Sequence, residues 1–126
     1  MEKNLSYKRK DYEPPLSINK WGWRFHHLGI PTNKKMPNEK YIEGLKIYVT
    51  GFETSPYGIE WMRFEKESPI SELIKTVPHI AFEVDDMEKA LKGKEILTEA
   101  HPISRGIKVA MIKHDGAPIE LLEISK

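Results

Sequence analysis

The alternation of apolar and polar residues predicts a chain made mainly of short strands. It is clear in LKIYVT (45–50), a segment that is also rich in the β-branched and aromatic residues typical of strands. Turn sequences such as TSPYG (54–58) and HDG (114–116) mark the ends of such segments. The other strand candidates are residues 23–30, 59–65, 77–84, 95–100, 107–113 and 117–124.

These segments fall into two halves with the same order of elements. The second half opens with VPHIAFEV (77–84) and continues with a short helix in MEKALKG (87–93), which one of the two preceding aspartates can cap; three strands close it. The first half gives a strand, a crossover that Pro31 and Pro37 keep poorly helical, and two or three strands. The pattern therefore predicts an α+β chain of two βαβββ modules, the first with a reduced helix.

Each half carries a histidine in its first strand and an Ile-Glu pair in its last strand. The four matched residues are His27, Glu60, His79 and Glu120. Because side chains on a strand alternate between faces, each of the four points away from its aliphatic neighbours. If the two halves close on each other, the four side chains converge on one concave surface. The small residues Gly29 and Ala81 lie on the same face, where we expect them to leave room for a ligand.

The four residues form a candidate metal site. A single histidine or glutamate on a strand is more often a hydrogen-bonded or solvated residue, but four at equivalent positions of a repeat favour ligation. Since the chain has no cysteine, histidine and carboxylate must hold any metal, and this donor set suits Zn, Mn, Fe, Co or Ni. Parity places His26 on the core-facing side with a local hydrogen bond, while His101 and His114 lie in loop-like segments and are assigned no role.

Composition narrows the possible partners. Lys and Arg number 20 and Asp and Glu 19, so a formal net charge of +1 provides no field that would attract nucleic acid or an anionic membrane. No apolar segment approaches the roughly 20 residues that span a bilayer, and the N-terminus lacks the apolar region of a secretory signal. We therefore expect a cytoplasmic protein that acts on a small molecule, without a nucleic-acid or membrane partner.

The length fits one domain. We expect an N-terminal arm over residues 1–22, which a Pro-Pro pair keeps extended, and a single domain over residues 23–126. Its modules span about residues 23–67 and 77–126.

The segments HHLGI (26–30), HIAFEVDDMEKAL (79–91) and GAPIELLE (116–123) resemble the vicinal oxygen chelate superfamily, which includes glyoxalase I, methylmalonyl-CoA epimerase, extradiol dioxygenases and bleomycin-resistance proteins. The resemblance covers about residues 24–124. It implies paired βαβββ modules that curve into an incomplete, glyoxalase-like barrel, with a divalent metal ion (Zn, Ni, Co, Mn or Fe) at the centre. The implied ligands are His27, Glu60, His79 and Glu120. A homodimer is expected as well, because we expect the compact first module to leave the cleft open on one side.

Such a site predicts an isomerase, epimerase or lyase. A metal that chelates two substrate oxygens stabilises the enediolate formed when a proton leaves the carbon beside a carbonyl. We favour Glu120 as the base, with Glu60 as the alternative. Met62 and Phe64 share the parity of Glu60 and are candidate substrate contacts. The alternatives are a sequestration protein of the bleomycin-resistance type, a dioxygenase if iron is bound, and an interaction protein whose concave face binds another chain.

Overall fold

The computed structural model describes residues 7–126. Residues 1–6 of the predicted arm lie outside this range. The rest of the arm differs in part from the extended segment that the sequence predicts, because one helical turn, α1 (Leu16–Asn19), begins directly after Pro15. A proline is compatible with the start of a helix, where its missing N–H has no intrahelical acceptor.

Eight strands and three short helices make up the secondary structure of residues 7–126. After α1, the strands are β1 (Arg24–Pro31), β2 (Lys40–Ile42), β3 (Ile47–Thr50), β4 (Ile59–Phe64), β5 (His79–Glu83), β6 (Glu95–Ser104), β7 (Ile107–His114) and β8 (Ala117–Ile124). The other helices are α2 (Glu72–Thr76) and α3 (Met87–Leu91). No helix in the described part of the chain is long and apolar enough to cross a membrane.

All eight strands form one sheet in the order β2-β3-β4-β1-β5-β8-β7-β6. In each half the first strand pairs in parallel with the last, as β1 does with β4 and β5 with β8. The halves join through the antiparallel pair β1 and β5. The sheet curls into a half-barrel, which confirms the predicted α+β, glyoxalase-like architecture.

The two halves differ at their crossovers. In the second half, Asp86 caps α3 by accepting a hydrogen bond from the N–H of Lys89, and Met87 and Ala90 of this helix pack against the sheet. In the first half, residues 32–39 contain only turns and bends, so the reduced helix of the prediction is absent from this crossover. Pro37 removes a backbone donor here, and Asn38 has a left-handed φ of 61°.

The sheet has two unlike faces. The outer face of the second module packs against α3 around Phe82, Met87 and Leu121. The inner face carries two smaller apolar clusters, one in each module, which are Ile47, Val49 and Met62, and Ala81, Val109 and Leu122. Between these two clusters, the central strands β4, β1, β5 and β8 place polar side chains on the inner face.

Candidate metal centre

Strand register brings the four predicted residues side by side. Across the antiparallel pair of β1 and β5, His27 lies opposite Ala81, and Gly29 lies opposite His79. Across the two parallel pairs, Gly29 lies beside Glu60 and Ala81 beside Glu120. The register of one half therefore repeats in the other, and each small residue has a histidine on one side and a glutamate on the other.

Three of the four side chains form a tight buried group. Nε2 of His79 lies 2.9 Å from Oε1 of Glu120, and Nε2 of His27 lies 3.3 Å from the same oxygen. Both histidines are buried, with exposed fractions of 5% for His27 and 2% for His79. Glu60 lies next to this group, with its Oε1 3.6 Å from Nε2 of His27.

The spacing of these atoms fits a metal ion. One donor atom from each of His27, His79 and Glu120 can be chosen so that all three lie within 4.8 Å of one another. Donors bound to one ion at about 2.0–2.2 Å lie about 3 Å apart, close to the distances between the imidazole nitrogens and the Glu120 oxygen. The three residues could therefore bind a divalent ion, with Glu60 adjacent as a fourth oxygen donor. The donor set alone does not select among Zn, Ni, Co, Mn and Fe.

Gly29 leaves room for the imidazole of His79. A methyl group at Gly29 would overlap Cε1 of that ring and lie 2.8 Å from both ring nitrogens. The sequence predicts that this position leaves space for a ligand, but the space above Gly29 is filled by the histidine. Nδ1 of His79 is buried and has no hydrogen-bond partner among the residues that the structure describes.

The two glutamates differ in their electrostatic surroundings. Burial raises the pKa of Glu120, but hydrogen bonds donated by His27 and His79 outweigh burial and lower this pKa to about 2. Burial also raises the pKa of Glu60, and the neighbouring His27 offsets this only in part, so the pKa of Glu60 stays above its ordinary value. Glu120 is thus a firmly held carboxylate, whereas Glu60 accepts a proton more readily.

A cavity of about 500 Å³ opens beside Glu60 in the first module. The crossover residues 36–38, Thr50 at the end of β3 and the loop residues 51–54 border it, together with the apolar side chains of Ile42, Val49 and Trp61. Glu60 is the member of the four-residue group that lines this cavity. Of the two glutamates, therefore, Glu60 faces the space in which a small molecule would fit.

The two predicted substrate contacts lie beside this cavity but do not line it. Met62 is buried in the inner-face cluster with Ile47 and Val49, and Phe64 packs at the edge of the same cluster. Arg63, on the opposite face, forms two hydrogen bonds with Glu39, at 2.9 and 2.7 Å. Their positions give Met62 and Phe64 a role in packing the wall behind Val49.

Two residues near the site were not assigned to it from the sequence. A β-bulge between Phe25 and His27 shifts the strand register, so the imidazole of His26 turns towards that of His27 and not to the core-facing side that parity predicts. Their Nδ1 atoms lie 2.8 Å apart, so the predicted local hydrogen bond of His26 is with His27. Phe52 stacks on His26, with ring centroids 5.2 Å apart and an interplanar angle of 30°. Alternation alone gives no signal for a bulge or for a ring supplied by a loop.

The other two histidines lie away from the site. His101 is exposed, and its Nδ1 lies 2.9 Å from the carbonyl oxygen of Glu99. His114 is exposed at the end of β7. Both residues therefore lie in strands, β6 and β7, and not in the loop-like segments that the sequence predicts.

Comparison with known proteins identifies the fold. No protein-family model matches the sequence, and no curated protein matches it significantly. Among solved structures, hypothetical protein BH1468 from Bacillus halodurans is 21% identical, with a TM-score of 0.61 over 82% of this chain and 96% of that chain. Methylmalonyl-CoA epimerase from Mycobacterium tuberculosis is 20% identical, with a TM-score of 0.55 over 82% of this chain and 89% of that chain. The chain shares their fold. This likeness is consistent with the sequence resemblance to the vicinal oxygen chelate superfamily.

Proposed function

We propose that the chain is a metal-dependent, glyoxalase-like enzyme that removes a proton from the carbon beside a carbonyl in an isomerisation, epimerisation or lyase-type reaction. The observation that carries the proposal is the unequal pair of carboxylates around the two buried histidines. Glu120 is held by both imidazoles, whereas Glu60 faces the cavity. An acid–base reaction at a metal centre needs both a fixed ligand and a carboxylate that can exchange a proton.

His27, His79 and Glu120 would hold the metal. When bound, a divalent ion would supply Lewis-acid stabilisation to two neighbouring oxygens of a substrate. The burial of the two histidines excludes water from this side of the site, which strengthens electrostatic interactions there.

We assign the role of base to Glu60, the alternative in the sequence analysis, rather than to Glu120. Glu60 borders the cavity and can reach a bound molecule, whereas Glu120 is engaged by His27 and His79. The raised pKa of Glu60, caused by burial, supports the same assignment, because a carboxylate of low pKa is a weak base near neutral pH.

The cavity beside Glu60 would receive the substrate. Its volume of about 500 Å³ is in the range of small-molecule sites. Apolar side chains of Ile42, Val49 and Trp61 suit a substrate with an apolar body, and Lys40 at the border offers a cation to a polar end. A solved structure that shares the fold is named as an epimerase, which supports an epimerase-type reaction.

The first test is metal content. Tag-free wild-type protein and a His27→Ala/His79→Ala variant would be compared by inductively coupled plasma mass spectrometry, with His101→Ala/His114→Ala as the matched control. We expect about one divalent ion per chain in the wild type and the control and none in the site variant. No binding by the wild type, even after incubation with Zn, Mn, Co and Ni, would contradict the proposal.

The second test is proton exchange. Small hydroxyketones, 2-oxo acids and acyl thioesters would be incubated in D₂O with metal-loaded protein, and loss of the proton beside the carbonyl would be followed by NMR. We expect Glu60→Gln to retain the metal but to slow exchange by about 10²–10⁴-fold, as removal of a general base does.

A sequestration protein is the second candidate, because the cavity has apolar and aromatic walls that would bind a small molecule without turnover. Tight binding of an organic ligand with no metal and no proton exchange would favour it. Iron in the purified protein would instead direct assays to dioxygenases.

We also propose that the chain forms a homodimer. Phe25, Phe52 and Tyr57 are exposed large apolar residues in β1 and the loop before β4, and the Phe25 ring lies against Gly58 in that loop. Sedimentation velocity at micromolar concentration would test this; a monomer would contradict it.

A further inference from the structure

We infer that His26 is a positioning residue that accepts a hydrogen bond from Nδ1–H of His27 and so holds His27 in the tautomer whose Nε2 is free to bind a metal ion. This inference rests on the proposed metal site. It concerns a contact between two neighbouring side chains that regular strand geometry would place on opposite faces.

The β-bulge makes the contact possible. Across β1 and β5, Phe25 pairs with Phe82 and His27 pairs with Ala81, so His26 is the residue at which the register shifts. Both rings then lie near each other, with centroids 5.0 Å apart and an interplanar angle of 70°. A bulge that redirects a side chain beside a candidate site is a common use of this irregularity.

The distance between the two Nδ1 atoms requires that one of them carries a proton and donates it to the other. Nδ1 of His26 lies 2.8 Å from Nδ1 of His27, which is hydrogen-bond distance. A neutral imidazole carries one N–H, so one of the two Nδ1 atoms donates and the other accepts. When His27 donates, its Nε2 carries no proton and presents a lone pair.

That lone pair points at the other donors of the site. Nε2 of His27 lies 3.3 Å from Oε1 of Glu120 and 3.6 Å from Oε1 of Glu60. Two arrangements of the protons therefore compete. If Nδ1–H of His26 donates to His27, the proton of His27 lies on Nε2 and is donated to a carboxylate. If Nδ1–H of His27 donates to His26, Nε2 of His27 is free to become a metal ligand.

Phe52 holds the accepting ring in place. It stacks on His26 and meets the ring of His27 edge-on, with centroids 5.8 Å apart. Stacked aromatic rings restrict each other's rotation, so Nδ1 of His26 stays directed at His27. His79 has no equivalent arrangement, because its Nδ1 lacks a hydrogen-bond partner among residues 7–126.

The test compares two replacements of His26. His26→Phe keeps a ring for Phe52 to stack on but has no acceptor, whereas His26→Asn places an amide oxygen near the former Nδ1 position. His114→Phe is the matched control, because that histidine is exposed and remote. Zinc and cobalt affinities would be measured by competition with a chelator, and circular dichroism would confirm the fold of each variant.

We expect His26→Phe to weaken metal binding by about 10–100-fold, and His26→Asn and His114→Phe to stay within about threefold of the wild type. Long-range ¹H–¹⁵N spectra of the zinc-loaded wild type should show the proton of His27 on Nδ1, no proton on Nδ1 of His26, and a ¹⁵N–¹⁵N coupling between these two atoms across the hydrogen bond. This spectrum needs no variant, so it decides the question even if His26→Phe does not fold.

Equal metal affinity in His26→Phe and the wild type, or a zinc-loaded wild type with no ¹⁵N–¹⁵N coupling between the two Nδ1 atoms, would overturn the role of His26 and leave the proposed function intact. Absence of metal binding by the wild type would overturn both.

Discussion

His27 and His79 occupy matched positions in the two modules, but their imidazoles have different surroundings. The ring of His27 has His26 at its Nδ1 and two carboxylates near its Nε2. The ring of His79 lies over Gly29, hydrogen bonds to Glu120 alone, and has an unpartnered Nδ1 in the described chain. In the described chain, therefore, both ring nitrogens of His27 have polar neighbours, whereas only one ring nitrogen of His79 does.

The outer faces of the two modules also differ, because one is covered by an apolar helix and the other by polar side chains. In the second module, α3 covers the sheet with buried Met87 and Ala90. In the first module, the side chain of Arg63 lies 4.0 Å from the ring centre of Tyr48 and pairs with Glu39. One topology thus supports a module stabilised by an apolar core and another that leaves room for a cavity beside Glu60.

Among the variants considered, Met87→Ala should have the largest effect on stability. Met87 is 2% exposed, and truncation of a buried methionine to alanine costs about 2–5 kcal/mol of unfolding free energy. Arg63→Met, which removes the ion pair on the outer face of the first module, should cost less because that face is partly solvated. Urea unfolding of both variants would measure this. Equal losses of unfolding free energy would show that the Arg63–Glu39 ion pair stabilises the first module as much as α3 stabilises the second.

The Glu120 cluster should make stability depend on pH in the metal-free chain. Because the pKa of Glu120 is lowered from 4.5 to about 2, its contribution is present above about pH 4.5 and is lost as the pH falls towards 2. Burial lowers the pKa of His27, but Glu120 and Glu60 raise it more, so the net pKa is raised. The contribution of protonated His27 to stability is therefore present below about pH 6.5 and is lost as the pH rises through the raised value.

Glu120→Gln removes the first contribution and reduces the second, which Glu60 also supports. The difference in unfolding free energy between wild type and variant should therefore be largest between about pH 4.5 and 6.5, at about 1.5–3 kcal/mol, and should shrink on either side. Urea midpoints measured with a chelator from about pH 3 to pH 8 would give this profile. A difference that does not change with pH would contradict the assigned hydrogen bonds.

Gly29 and Ala81 occupy matched positions, so each can be replaced by the residue found in the other module. Gly29→Ala should displace the ring of His79, with a loss of about 1–3 kcal/mol in stability and weaker metal binding. Ala81→Gly, at the position opposite His27, should cost about 0.5–1 kcal/mol through backbone freedom and retain the metal. Denaturation and metal titration would separate the two. Similar metal affinity in both variants would show that His79 tolerates a shift of its ring.

Alternation of side chains predicted much of this arrangement. Parity alone put His27, His79, Glu60 and Glu120 on one face, and the sheet register places them on adjacent strands of that face. The repeat could be recognised in the sequence because the register of strand pairing in each half depends on apolar residues at the same positions.

Other features depend on contacts between distant segments. The bulge at His26 breaks the alternation on which the prediction relied, and Phe52 approaches the site from a loop. The unequal surroundings of Glu60 and Glu120 also follow from burial and from the cavity, which single-sequence parity does not report. Gly29 was correctly identified as a small residue on the inner face, but a small side chain does not indicate which neighbour fills the space above it.

The smallest expected effect is an increase in stability on replacement of Glu60. Burial raises the pKa of this carboxyl in the folded chain, so its ionisation is less favourable there than in the unfolded chain. The cost is absent at pH values well below 4.5 and is fully present above the raised pKa, so Glu60→Gln should raise the unfolding free energy of the metal-free chain near neutral pH. Urea unfolding with exposed Glu99→Gln as the control would test it. A loss of stability would mean that Glu60, like Glu120, is held by its histidine, and the two modules would then share one role.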